Sequence, residues 1–352
     1  MNCEHAAFPS RGHRLPRGAR PVLVALSLAG GVGLAVLALT RLDLSLSLHA
    51  LTSVKAEFVA LTFALMSVSL IVRAECWYVI LRSALSGARI SRGVAVRATM
   101  IGVMVSATLP GRLGEPARVF VVARSAGDTR DCAALVTGTV FAQTLLNVAA
   151  MGALASLLVA SVALFRDSAW AIVLAAALPI VVIGVVLAGP GLLKRAARRS
   201  TTVLGRAAAF VRREIEQTRR GLRVFSRPRD AFHAVIAQLV AWSLQLLACY
   251  ALLSAFGTAT QARLGAAAAV LVATNIAAVV PVTPGNVGVF QAACVAVLAA
   301  YGVGADRALA YGILLQLLEL ATAIALGLPA LLAEGLRPRD LREASRRPVT
   351  PG

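Results

Sequence analysis

Charged side chains next to or inside long apolar stretches are the residues of this sequence that could carry chemistry. Arg112, Glu115 and Arg118 surround an interruption in one apolar stretch, and Glu319 is an acid well inside another. Charges at membrane depth are costly, so they are functional candidates by default. The two arginines could hold a lipid phosphate, while Glu115 could neutralise one of them or cap a helix start. The alternative is a cytoplasmic cluster of positive charge without a ligand.

Uncharged amides inside the apolar stretches form a second group: Gln143, Asn147, Asn275, Gln291 and Gln316. Gln143 and Asn147 are four residues apart, and Gln316 and Glu319 are three apart, so each pair shares a helix face. A single amide more often joins two helices than binds a substrate. We take as candidate substrate contacts Arg112, Glu115, Arg118, Asn275, Gln291, Gln316 and Glu319.

Other kinds of chemistry have little support in the sequence. The five cysteines (Cys3, Cys76, Cys132, Cys249 and Cys294) are scattered, without a Cys-x-x-Cys spacing. There is no phosphate-binding loop, no zinc-protease motif and no nucleophile elbow. We therefore expect no catalytic residues, no metal site and no cofactor, and a protein that is not an enzyme.

Two copies of the motif Pro-Gly-x-x-Gly interrupt the apolar stretches that carry these residues. The first comprises Pro110, Gly111 and Gly114, and the second comprises Pro284, Gly285 and Gly288. Backbone groups freed inside a bilayer must be satisfied by protein or by a watery cavity. Broken segments at matching positions of two halves therefore point to a transport site. Two helix-ending turns that happen to look alike are the simpler alternative.

Composition predicts an all-α, polytopic membrane protein. Of 352 residues, 59% are hydrophobic and only 14% are charged, and the mean hydropathy is +0.80. The net charge of +19 is spread over basic segments at 1–20, 82–97, 194–229 and 334–347. That spacing indicates cytoplasmic loops facing anionic lipid in the cell (inner or plasma) membrane, with both termini cytoplasmic. It argues against nucleic acid, which would need a basic soluble domain.

The charge pattern predicts about six spanning helices and two broken or re-entrant helical hairpins. The spans are expected at 22–40, 58–81, 133–164, 170–188, 231–256 and 308–332. A first transmembrane unit would cover 21–190, with its hairpin near 94–118, and a second would cover 231–333, with its hairpin near 264–301. Basic tails would occupy 1–20 and 334–352, and an amphipathic cytoplasmic segment 191–230.

Charge alone leaves two topologies for the second unit, because three spans or a hairpin plus one span both reach the cytoplasm. The repeated glycine motif favours the hairpin. The two units would then have opposite orientations, which is the inverted-topology repeat of many carriers.

The two glycine motifs also carry a family resemblance. The stretch 97–124, above all LPGRLGEPAR at 109–118, and PVTPGNVGVFQ at 281–291 resemble the two signatures of the lysylphosphatidylglycerol synthase transmembrane-region family. The resemblance runs from about residue 22 to 332 and implies a flippase-like membrane fold with a lipid or lipid-linked substrate. We expect no soluble aminoacyl-transferase domain, since the sequence ends shortly after its last predicted helix.

Several charges common in that family are neutral here. Relatives often have Glu at the position of Gln291 and Arg at that of Gln316, and an Arg and an Asp at those of Gln143 and Asn147. A hydrogen bond between two amides can replace an ion pair without leaving a lone buried charge. We therefore expect Gln291 and Gln316 to touch across the second hairpin.

The function predicted on these grounds is a flippase-like transporter that moves an anionic phospholipid or a polyprenyl-linked lipid between leaflets. One alternative is a non-catalytic membrane partner of a lipid-synthesis or lipid-modifying enzyme. Another is a membrane enzyme acting on a lipid head group, which would need Glu115 or Glu319 to face a cavity.

Overall fold

The structure, a computed structural model, describes residues 54–85, 90–108, 113–125, 131–161, 227–257, 263–278 and 286–335. These ranges hold eight α-helices and no β-strand: α1 Ala56–Ala84, α2 Arg92–Thr108, α3 Gly114–Ser125, α4 Asp131–Ser161, α5 Pro228–Ala255, α6 Arg263–Ala277, α7 Val289–Ala299 and α8 Ala305–Ala333. The all-α prediction is confirmed. The helices expected at 22–40 and 170–188, both tails and nearly all of the segment 191–230 lie outside the described residues.

Helix length separates these elements into two classes. Four stretches in α1, α4, α5 and α8 are long and apolar enough to cross a membrane. The helices α2, α3, α6 and α7 have 17, 12, 15 and 11 residues. At 1.5 Å per residue they extend about 16–26 Å, less than the roughly 30 Å hydrocarbon core. The short helices fall where the sequence predicts the two hairpins.

The longest seam of the fold joins α1 to α5. Small polar residues of α1 donate to alanine carbonyls of α5 in the order Thr62 to Ala248, Ser69 to Ala241 and Cys76 to Ala234. The numbers rise along one helix as they fall along the other, so the two helices are antiparallel. Small residues let the backbones approach closely. Their seven-residue spacing is the period of a left-handed helix crossing.

The first hairpin is held by glycine. A Cβ on Gly114 would collide with the carbonyl of Gly102, and one on Gly102 would lie only 2.9 Å from the carbonyl of Gly114 and would also strike Arg118. The α3 helix therefore returns antiparallel along α2 at very short range. Gly114 ends the first glycine motif, and its role is this close approach.

The second motif uses its last glycine differently. Gly288 has φ +87° and is the N-cap of α7, a left-handed backbone conformation that side chains disfavour. Asn286, two residues earlier, also has a positive φ of 55°. The second motif is therefore a turn that starts a helix.

Two sets of four helices, α1–α4 and α5–α8, pack alike. In each set a long helix is followed by two short helices and then by another long helix. The first helix of each set packs on the second and the fourth, and the third helix packs on the second and the fourth. Between sets, α2 packs on α8 as α6 packs on α4, and α1 packs on α5. If each helix of α1–α4 is matched with its counterpart in α5–α8, every pair of packed helices has a corresponding packed pair.

Ion pairs gather where α1 ends and α5 begins, and where α2 begins and α8 ends. Arg82 Nη2 lies 2.9 Å from the Asp230 carboxylate, which also accepts from Ser83 Oγ. Arg97 Nε lies 2.6 Å from the Glu334 carboxylate. These contacts close one end of the helix bundle, the end that the basic loops predict to be cytoplasmic.

Candidate functional site

Arg118 is the centre of the site on the first hairpin. It is 8% exposed, and the bare Cα of Gly102 leaves the space that its side chain fills. Its Nη2 donates to Gln143 Oε1 at 2.6 Å, and its Nη1 lies 3.3 Å from the Glu115 carboxylate. The guanidinium sits 4.0 Å from the ring centre of Trp77. Arg118 is thus held by an aromatic ring, a neutral amide and a half-exposed carboxylate.

Arg73, in the middle of α1, is a second interior cation. Its Nη2 donates to Gln245 Oε1 at 2.8 Å, and its guanidinium lies 5.4 Å from the ring centre of Trp242. The charge of Arg73 is repelled by that of Arg118 and attracted by that of Glu319. No carboxylate of the described ranges lies within 4 Å of its nitrogens.

The amides of α4 tie these arginines to the neighbouring helices. Gln143 accepts from Arg118 and donates through Nε2 to the carbonyl of Arg73 at 3.1 Å. Asn147 Oδ1 accepts from Gln238 Nε2 at 2.6 Å and from Trp242 Nε1 at 3.0 Å. We call the resulting hydrogen-bonded group the interior polar tract: Arg73, Arg118, Gln143, Asn147, Gln238 and Gln245.

The predicted contact between Gln291 and Gln316 is confirmed. Gln291 Nε2 donates to Gln316 Oε1 at 2.6 Å, across α7 and α8. Gln291 Oε1 also accepts the backbone N–H of Gly288 at 2.7 Å, so the same amide caps α7. The pair therefore joins the second glycine turn to the last long helix.

Glu319 lies one turn beyond Gln316 on α8. Its carboxylate makes no hydrogen bond or close ion pair within the described part of the chain, and the cation that attracts it is Arg73. Glu319 therefore connects the polar tract to the side of the bundle where the Gln291–Gln316 pair lies.

The remaining predicted residues do not join this group. Asn275 donates through Nδ2 to the carbonyl of Leu271 in its own helix at 2.8 Å. This bond is local to the helix and does not link Asn275 to the other candidate residues. Arg112 and the motif residues Pro110, Gly111, Pro284 and Gly285 lie outside the described residues. Across the described ranges, no three His, Cys, Asp or Glu residues cluster as metal ligands.

Several members of the site were missed by sequence reasoning: Arg73, Trp77, Gln238, Trp242 and Gln245. A signal existed for Arg73, because it is a charge inside the predicted span 58–81 and intramembrane charges mark function. The other four gain their significance only from their contacts with Arg73, Arg118, Thr139 or Asn147.

Long apolar helices, two short-helix hairpins and a polar interior together define an all-α membrane protein. Residues 22–327 match the family described as lysylphosphatidylglycerol synthase TM region. The chain belongs to that family, and it is a lipid-related membrane protein. No curated protein matches the chain.

Proposed function

We propose that the protein is a flippase-like transporter that moves a phospholipid or polyprenyl-linked lipid between the leaflets of the plasma membrane. The observation that carries the proposal is the interior polar tract, which runs from the first hairpin through α1 and α4 to α5. Charges inside a membrane protein are expensive and mark substrate pathways. A purely structural core would not require two arginines there.

The proposed mechanism rests on two units of opposite orientation. The matching helix contacts and the antiparallel seam between α1 and α5 support this arrangement. The short helices would dip into the membrane as re-entrant hairpins, each from its own side. Rocking of one unit against the other would then expose the tract to each leaflet in turn.

Side-chain roles follow from the chemistry of a lipid head group. Arg118, with Arg112 of the first glycine motif, would attract the phosphate, and Glu115 would modulate that charge. Glu319, Gln291 and Gln316 would line the far part of the path. Asn275 is retained only as a weaker candidate, since its amide already bonds its own helix.

A membrane partner of a lipid-modifying enzyme is the second candidate. It is favoured by the neutral Gln291–Gln316 bond, which stands where the family resemblance predicts an ion pair. A transporter driven by that ion pair would need the charges that this chain lacks.

Reconstitution in liposomes containing fluorescently labelled lipids separates the two functions. We expect accessibility of the inner-leaflet label to an external quencher to rise with wild-type protein. Arg118→Gln and Glu319→Gln should slow this exchange. Arg124→Gln is the matched control, because Arg124 is an exposed arginine on the same helix as Arg118. Absence of exchange for every phospholipid and polyprenyl lipid tested would favour the partner function.

A further inference from the structure

We propose that Glu319 is a proton-binding site at the middle of the membrane, and that its proton crosses together with an anionic lipid head group. This inference rests on the proposed function, because it concerns the same lipid transport. It goes further by assigning a second transported species, the proton, and a source of energy, the pH gradient across the membrane.

Glu319 lies at mid-depth on the inner face of α8. It is the middle residue of this 29-residue helix, which is one of the candidate membrane spans. Gly312, seven residues earlier, and Gly327, eight residues later, share its helix face. These glycines lie so close to α7 and α2 that a Cβ on either would crowd Cys294 or Met104. Glu319 is therefore on the face of α8 that packs against other helices.

Two short hydrogen bonds relate the second set of helices to the first, residue by residue. Arg118 donates to Gln143, and Gln291 donates to Gln316, each at 2.6 Å and each across 25 positions. Adding 173 to the numbers of the first pair gives the numbers of the second pair. The contact between α3 and α4 and the contact between α7 and α8 therefore correspond, including their polar positions.

The counterpart of Glu319 in the first set is hydrogen-bonded, whereas Glu319 is not. The same offset brings Asn147 to position 320, next to Glu319. Asn147 Oδ1 accepts from Gln238 Nε2 and from Trp242 Nε1. The Glu319 carboxylate accepts no hydrogen bond within the described part of the chain. One of two corresponding positions thus holds a satisfied amide, and the other holds an acid without a donor.

Arg73 is the one cation of the described ranges that attracts Glu319, and it makes no close ion pair with it. Its Nη2 is bonded instead to Gln245 Oε1 at 2.8 Å. The α2 helix also packs on α8, but its arginines lie in its first two turns, where Arg97 pairs with Glu334. No opposite charge is therefore in contact with Glu319 among the described residues.

The other ionisable side chains near Glu319 are uncharged. Cys249 of α5 and Cys294 of α7 are buried thiols, which are neutral near pH 7. Tyr311 of α8 is a phenol whose hydroxyl donates to the carbonyl of Cys249 at 3.0 Å. These groups supply neither a positive charge nor that hydroxyl donor to Glu319.

A proton satisfies the carboxyl group in this setting. An ionised acid at mid-membrane without a donor or a contacting cation is far more costly than the neutral acid. When Glu319 holds a proton, Arg73 stays on Gln245. When the proton leaves, the carboxylate attracts Arg73, whose backbone carbonyl accepts from Gln143, the partner of Arg118. Proton binding therefore acts on the tract that would hold the lipid phosphate.

The sign of the coupling follows from charge. A head-group phosphate at Arg118 brings a negative charge into the same interior, and a like charge disfavours ionisation of an acid. The anion and the proton on Glu319 therefore bind together and cross in the same direction. One proton with one singly charged head group carries no net charge, so the pH gradient drives this step and the membrane voltage does not.

Infrared spectroscopy detects the proton on Glu319 without transport. The protein in phosphatidylcholine bilayers would be titrated from acid to alkaline pH, and the carbonyl band of protonated carboxylic acids would be followed. We expect Glu319→Gln to remove one titrating component of this band. Glu57→Gln, at an exposed glutamate in the first turn of α1, should leave that component in place. Glu319→Asp should shift it, which assigns the band even if the glutamine variant does not fold.

A pH gradient across proteoliposomes tests the coupling. The vesicles would contain phosphatidylcholine and fluorescent phosphatidylglycerol, with the voltage held at zero by potassium and valinomycin. With the wild type, labelled lipid should gather in the leaflet that faces the alkaline compartment, by up to about tenfold for one pH unit. Glu319→Gln and protein-free vesicles should show only passive redistribution, whereas Glu319→Asp should keep the response to the gradient.

An unchanged titrating band after Glu319→Gln would refute the proton site. Gathering of lipid on the acid side, or an equal response of wild type and Glu319→Gln, would refute the shared crossing. Exchange that ignores the gradient would leave the transporter standing and remove its coupling to protons. A Glu319 band without exchange of any lipid would leave the proton site standing and refute transport.

Discussion

Placing at Gln291 and Gln316 the charges that the family resemblance predicts tests how closely these two side chains are coupled. Gln291→Glu keeps the cap on α7, because a carboxylate oxygen still accepts the N–H of Gly288. It also replaces the Gln291 Nε2 donor, which lies 2.6 Å from Gln316 Oε1, with a carboxylate oxygen, so the Gln316 amide must turn over to donate its own Nε2. The new carboxylate is then a half-buried charge held by a neutral amide and a backbone N–H.

The expected magnitudes follow from this geometry. Gln291→Glu leaves a partly buried charge without an opposite charge and forces the Gln316 amide to turn over, for a total cost of about 2–4 kcal/mol. Gln316→Arg should cost less, because Glu319 lies one turn away and can pair with the new cation. The double variant should recover to within about 1 kcal/mol of wild type, since Glu and Arg then form an ion pair.

Thermal unfolding of the purified protein in detergent measures these differences. At roughly 2 °C per kcal/mol for a chain of this size, Gln291→Glu should lower the Tm by about 4–8 °C. The double variant should lie well above the sum of the single changes, with a coupling energy of about 2 kcal/mol or more.

The control pairs Gln316→Arg with Asn275→Asp. Asn275 bonds only its own helix among the contacts described, so the effects of these two substitutions should add. Additive effects of Gln291→Glu and Gln316→Arg would refute the inferred coupling.

Three further outcomes are expected from the packing. Gly114→Ala should destabilise the protein by about 1–3 kcal/mol in denaturation assays, because its Cβ meets the Gly102 carbonyl. Gly304→Ala, in open space at the N-cap of α8, should cost only about 0.5 kcal/mol. Ala241→Leu should separate α1 from α5 and cost a similar amount in the same assay, and unchanged stability would contradict the close seam. In a cysteine-free background, Ser91→Cys and Gly304→Cys should react with a membrane-impermeant maleimide from opposite sides of the membrane, and labelling from the same side would refute the inverted units.

The sequence determined the class of the protein, its family and much of its secondary structure. Apolar length alone locates α1, α4, α5 and α8 within a few residues, because a bilayer demands long uninterrupted stretches. Even the start of α5 at Pro228 has a local cause, since proline is favoured in the first helical turn. The contact of Gln291 with Gln316 was also predictable, but only through the family resemblance, which implies an ion pair at these two positions.

Only the tertiary structure decided which polar residues belong together. Arg73 bonds Gln245, which lies 172 positions away, and no local pattern announces that partner. Asn275 looked equivalent to the other amides in sequence, but its bond stays within its own helix. Gly114 and Gly288 end identical motifs, and yet one permits close helix packing while the other takes a left-handed turn. Periodicity specifies which face of a helix is polar, whereas the partner of that face depends on how distant helices pack.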